Sequence, residues 1–255
     1  MIARRAVFAA LLLVGVCLAE GERERAGYRL DPGAATADLS VADKGIFDGT
    51  NAFRAENDLP ALKSNEQLTA TAKAFAQFMA DTHKYGHEAD GRTPATRAEA
   101  KGYAYCLVLE NIAMQFRSDG FKSDALATAF VEAWKDSPGH RKNMLDPHVT
   151  EAGMAVAMSK NGVYYAVQVF GRPKSMAFAV RIENRSKAAV RYTLDDKPYD
   201  LEPRAIRTHT VCIPPMLSFD LPKGSTPPPA DRLKPTKATT YTVADSGGGV
   251  RVTAK

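Results

Sequence analysis

The sequence predicts an α+β chain in two parts: a mixed helical and stranded unit, then a small all-β module. Between Ser40 and Pro138, apolar residues recur at helical spacing. From Glu151 the spacing changes to strict alternation, which belongs to half-buried strands. After Pro173 the alternation continues with no helical pattern.

Taken in order, Ser40 and Asp43 resemble a capping pair ahead of Ile46, Phe47, Thr50, Phe53 and Arg54. Ser64 and Gln67 resemble a second cap. They precede an amphipathic stretch with Leu68, Ala72, Phe75, Ala76 and Met79 on one face. Thr93-Pro94 to Gly102 reads as a short helix with proline in its first turn and glycine past its end. Ser123 opens a helix whose stripe is Leu126, Phe130, Ala133 and Trp134, interrupted by Pro138-Gly139. Met154, Val156 and Met158, then Val163, Tyr165, Val167 and Val169, alternate on either side of Asn161-Gly162, a strong hairpin signal. Helices followed by core strands suggest an α+β or a layered α/β/α domain closing near Pro173. Beyond it, strands are expected at Phe178–Ile182, Val190–Leu194, Thr208–Ile213, Leu217–Leu221, Tyr241–Val243 and Val250–Thr253. A proline-rich loop at 225–229 interrupts them, and a last hairpin turns on Asp245-Ser246-Gly247-Gly248-Gly249.

The chain start indicates export. Arg4 and Arg5 precede an apolar run from Ala6 to Ala19, and a polar segment follows from Glu20. This is the layout of a secretory signal peptide, so residues 1–19 are expected to be removed and the mature chain to be secreted or periplasmic. Val16 before Cys17 argues against lipoprotein processing. No later stretch reaches the roughly 18 apolar residues of a membrane helix. Residues 20–39, polar and aperiodic, read as a flexible lead-in. The domains are then 40–173 and 174–255. Cys106 and Cys212 would fall one in each and can either pair or stay as separate buried thiols.

Composition excludes several classes. With 45% hydrophobic and 25% charged residues, disorder and fibrous folds are ruled out for most of the chain. The net charge of +5 falls to +3 without Arg4 and Arg5. No basic block with interleaved aromatics exists, so nucleic acid is not an expected partner. His83 and His87 are four apart, but Gly86 intervenes and no metalloprotease glutamate accompanies them. Asp245-Ser246-Gly247-Gly248 is a turn rather than a protease nucleophile loop, and no Gly-x-Ser-x-Gly elbow or phosphate-binding glycine loop occurs.

Three further segments belong together. They are His87-Glu88-Ala89-Asp90-Gly91-Arg92-Thr93-Pro94 with Arg97 and Gly102-Tyr103, then Glu110-Asn111-Ile112-Ala113, then Trp134 to Arg141 with Asn143-Met144-Leu145 and Gly153. With Asn51-x-x-Arg54 and the strand Tyr164–Gly171, this order resembles the CAP superfamily of cysteine-rich secretory, antigen 5 and pathogenesis-related 1 proteins. The absence of several disulfides fits a bacterial-type member. The resemblance runs from about Asp43 to Pro173. It implies a three-layer α/β/α sandwich with a cleft where two histidines and two glutamates converge, the histidines able to hold a divalent cation. His87, Glu110 and His140 match three of these positions. The fourth falls on Ser137, with the shorter Asp136 beside it, which weakens any mechanism needing two carboxylates.

What the resemblance implies is a secreted binding module whose cleft takes a lipid, peptide or envelope glycan, with a divalent cation, zinc foremost, on His87 and His140. The competing expectation is a hydrolase in which a His-held cation or His/Glu pair activates water. A third is a purely structural envelope protein. No catalytic residue is assigned.

Overall fold

The computed structural model describes residues 28–255. The expected signal peptide, Cys17 and residues 20–27 lie outside the described residues.

Helix α1, Leu39–Ala55, starts at Asp38, whose Oδ1 accepts from the amides of Ser40 and Val41. The cap is therefore Asp38, not Ser40. Helix α2, Glu66–Thr82, is likewise capped by Asn65 rather than Ser64. Ser64 instead belongs to strand β1, Lys63–Ser64. Helix α3, Pro94–Ala100, has proline in its first turn as expected; Thr93 caps it, and Gly102 takes a left-handed φ of 84° just beyond it. Strand β2, Tyr105–Gln115, follows, then α4, Ser123–Asp136, and α5, Pro138–Met144. Ser123 accepts from the amide of Asp38 instead of capping α4. The hairpin of β3, Glu151–Met158, and β4, Tyr164–Pro173, turns through Gly162 at φ 88°.

These strands form one sheet in the order β1-β3-β4-β2, antiparallel except for β1 beside β3. Successive side chains point to opposite faces of a strand, so each strand feeds two cores. Ala152, Met154, Val156, Tyr164, Ala166 and Phe170 pack with α1 and α4. Ala155, Tyr165, Val167 and Val169 pack on the other side with α2 and α3. The result is a three-layer α/β/α sandwich. Gly153 lets α2 lie directly on the sheet, because a Cβ there would sit 2.0 Å from the Thr69 amide nitrogen.

The lead-in is not free where it is described. The Asp31 amide bonds the Ser118 carbonyl at 2.7 Å, Ala35 bridges Gly120, and Tyr28 packs edge-on against Phe116.

Residues from Phe178 onward form a sandwich of two sheets. One has the order β11-β10-β5-β8, from Gly249–Ala254, Thr239–Ser246, Phe178–Asn184 and Ile206–Val211. The other is β7-β6-β9, from Lys197–Leu201, Val190–Leu194 and Leu217–Asp220. Strand β7 has no counterpart in the sequence reading. Between the sheets lies a third core with Val180, Ile182, Tyr192, Tyr241 and Val243 at its centre. Cys106 and Cys212 are joined by a disulfide, with Cα atoms 5.2 Å apart. Cys106 sits where the β2–β4 register shifts between Tyr105 and Leu107. Arg172 Nε also donates to the Cys212 carbonyl at 2.6 Å.

Candidate functional site

The site is built around β2, which lies at the edge of its sheet. An edge strand leaves backbone groups without a neighbouring strand, and side chains take them here. Asn143 Nδ2 donates to the Glu110 carbonyl at 3.1 Å. Trp134 Nε1 and the Tyr85 hydroxyl both donate to the Ile112 carbonyl at 3.2 Å. Trp134 comes from α4, and Tyr85 comes from the connection after α2, so both outer layers reach this strand.

Glu110 and Asn111 are neighbours in a strand and point to opposite faces. On one face, Glu110 Oε1 meets His87 Nδ1 at 2.9 Å and Arg97 Nη2 at 3.0 Å, while Oε2 meets Arg97 Nη2 at 2.8 Å. The Glu110 side chain is 1% exposed and that of His87 is 50% exposed. On the other face, Asn111 Nδ2 donates to Gln168 Oε1 at 2.9 Å and to the His140 carbonyl at 3.1 Å. Its Oδ1 accepts from Asn143 at 2.9 Å. Gln168 in turn donates to Thr50 on α1. This buried amide chain fixes α5, and with it His140, against the strand.

His87 and Glu110 are thus in direct contact, and His140 is half-buried near enough to His87 to feel its charge. The bond to Glu110 raises the His87 pKa above its ordinary 6.5, with burial partly opposing. Burial, then the neighbouring His87, lowers that of His140. Ser137 is half-buried between α4 and α5, and its hydroxyl caps neither. Asp136 ends α4 exposed to solvent. Arg97, Asp90, Asn143, Gln168 and Tyr85 carry no site role in the sequence reading. Asp90, Arg97, Asn143 and Gln168 stand within the quoted segments, but the contacts of Arg97 with Glu110 and of Asn143 with Glu110 and Asn111 cross to another element.

With Nδ1 turned to Glu110, His87 leaves Nε2 free of that carboxylate, on a side chain that is half-exposed. That is the orientation a metal-binding imidazole takes when a carboxylate supports it. Among the described residues, no group of three or more His, Cys, Asp or Glu side chains could hold a metal ion.

Residues 47–170 match the model of the CAP family, described as the cysteine-rich secretory protein family. This stretch is a CAP domain. Uncharacterized protein YkwD of Bacillus subtilis (strain 168) is 30% identical over 140 residues, 54% of this chain and 51% of that protein. The chain thus spans about half the length of that relative. Among solved structures, an outer surface protein from Borrelia burgdorferi aligns with a TM-score of 0.47 and 20% identity, covering 52% of this chain and 93% of that one. An extracellular protein containing a SCP domain from Bacillus anthracis str. Ames aligns at 0.43 and 30%, covering 52% and 41%. No helix among the described residues is long and apolar enough to cross a membrane.

Proposed function

We propose that this protein is an exported, non-catalytic binding module. Its CAP cleft takes a lipid, peptide or envelope-glycan ligand, with a divalent cation held by His87 and His140 as part of the binding surface. The observation that carries this reading is the state of Glu110. Both of its oxygens are engaged, by Arg97 and by His87, and its side chain is 1% exposed. A carboxylate so occupied orients an imidazole rather than accepting a proton from a substrate water. Ser137, standing where a second glutamate would be, adds no carboxylate.

Zinc is the cation to test, because two neutral imidazoles suit it and water completes its shell. Calorimetric titration with zinc should give one weak site. His87→Ala and His140→Ala should each abolish it, and Glu110→Gln should weaken it about ten- to a hundredfold. Since His87 holds its proton to higher pH than usual, occupancy should fall as pH drops, beginning above 6.5. Alanine variants that bind zinc like the wild type would place the site elsewhere.

One observation favours a second reading, a hydrolase. His87 bonds a buried carboxylate at 2.9 Å while half-exposed, the arrangement of a general base, and its pKa is pushed up while that of the neighbouring His140 is pushed down. Incubation with peptides and with peptidoglycan, with and without zinc, decides between the two. Cleavage products lost in His140→Ala would establish hydrolysis, and intact substrates that stay bound would support the binding module.

A further inference from the structure

We propose that Arg97 is the positioning residue of this cleft. Its guanidinium gathers the loop from His87 to Arg92 and Glu110 into one unit, and so sets which nitrogen of His87 is turned to Glu110 and which is left free.

The contacts divide between the two ends of the fork. Nη2 donates to both oxygens of Glu110, at 3.0 and 2.8 Å, and to the carbonyl of His87 at 2.8 Å. Nη1 donates to Asp90 Oδ1 and to the Arg92 carbonyl, each at 2.7 Å. The loop therefore wraps the guanidinium at three residues, while the edge strand β2 holds it through a fourth. One nitrogen grips His87 by its backbone and Glu110 by its side chain. The Glu110 oxygen that Arg97 shares, Oε1, is the one that receives His87 Nδ1 at 2.9 Å. Both the root and the tip of the histidine are thus fixed by one buried cation.

The guanidinium lies 3.5 Å from the centre of the Phe75 ring on α2, so it has little room to slide. Arg97 is 3% exposed, and its Nε has no hydrogen-bond partner. A cation retained in this position with one donor unsatisfied is a costly choice for a plain loop fastener, since an apolar pair of similar volume is often at least as stable. Lysine cannot substitute, because one ammonium cannot span Glu110, the Asp90 carboxylate and the Arg92 carbonyl together.

This inference rests on reading the cleft as a ligand site, but its test does not. Proton–nitrogen correlation spectra of the full mature chain, without metal at about pH 9, report which nitrogen of neutral His87 carries the proton. The wild type should show Nδ1–H alone. Arg97→Lys, checked for cooperative melting, should show a mixture of both tautomers. Asp90→Asn touches the fork without touching Glu110 or His87, so it should shift the mixture the same way by less, and it decides the matter if the lysine variant does not fold. Zinc affinity should fall about tenfold or more in Arg97→Lys. A wild-type proton on Nε2, or a folded variant with the wild-type tautomer, overturns the proposal. If the wild type binds no zinc, the cation reading fails while the tautomer still decides the role of Arg97.

Discussion

Strand β2 of the CAP domain buries Glu110, Asn111 and Ile112 in succession, whereas strand β6 of the sandwich buries Val190, Tyr192 and Leu194 in alternation. The sandwich core is apolar and aromatic. Tyr192 stacks on Tyr199, and its hydroxyl reaches His209 at 2.7 Å. Its buried polar side chains, Asn184 and Ser186, close one turn, with Asn184 donating to the carbonyls of Ala188, Leu201 and Glu202. The CAP domain instead buries Thr50, Arg54, Arg97, Glu110, Asn111 and Gln168. Hydrophobic burial is non-directional and tolerates small shifts. A buried polar network does not, because each unmatched group costs roughly 1–3 kcal/mol. Arg97, Glu110, Asn111 and Gln168 of this set gather at strand β2 and hold the segments that carry His87 and His140, so they fix placement as well as stability.

That contrast is broken most severely at Arg97. Arg97→Met should leave buried Glu110 without its guanidinium and Asp90 with Arg92 alone, and destabilise the protein by about 3–5 kcal/mol. Urea unfolding measures this, and a loss under about 1 kcal/mol would mean that the network is incidental.

A smaller effect should follow from separating the halves. The CAP and sandwich cores draw on different residues, and the disulfide and the Arg172–Cys212 bond tie them together. A chain ending at residue 173 and carrying Cys106→Ser should keep one cooperative transition, with a loss of about 1–2 kcal/mol from the missing Arg172 partner. An insoluble or molten product would show that the polar half needs the apolar one.

The mildest test concerns Asp43, which covers the amide of Val156 on the free edge of β3 at 2.7 Å. Burial raises its pKa from 3.8 to about 6. Its neutral form is therefore favoured by folding. That contribution is complete below 3.8 and is lost as pH rises through about 6. Asp43→Asn keeps an acceptor for Val156 without the charge. It should stabilise the protein at pH 7–8 by about 1 kcal/mol, allowing for partial solvent screening, and have no effect near pH 4. Equal effects at both pH values would assign the shift to another group.

Much of this architecture is written locally. Thr93-Pro94 and Gly102 delimit α3, Asn161-Gly162 turns the β3–β4 hairpin, and the alternation from Phe178 onward marks the sandwich, because capping, φ preference and strand period act over a few residues. Strand β2 is hidden in the sequence for an equally physical reason. Its three consecutive buried residues have no period, since both faces and the edge are covered by partners remote in sequence. The caps Asp38 and Asn65 displace Ser40 and Ser64 because the chain direction entering each helix, not the residue type alone, selects the cap. His87, Glu110 and His140 are legible as a set through family resemblance, but the occupied state of Glu110 is not. Arg97 is 13 residues from Glu110 and 10 from His87, and its bonds to Glu110 exist only once α3 packs beside β2. The pairing of Cys106 with Cys212 likewise spans 106 residues. Local composition allows the two thiols either state. Only the docking of the sandwich on the bulged start of β2 brings them within bonding distance, because a disulfide demands a Cα separation that sequence spacing cannot supply.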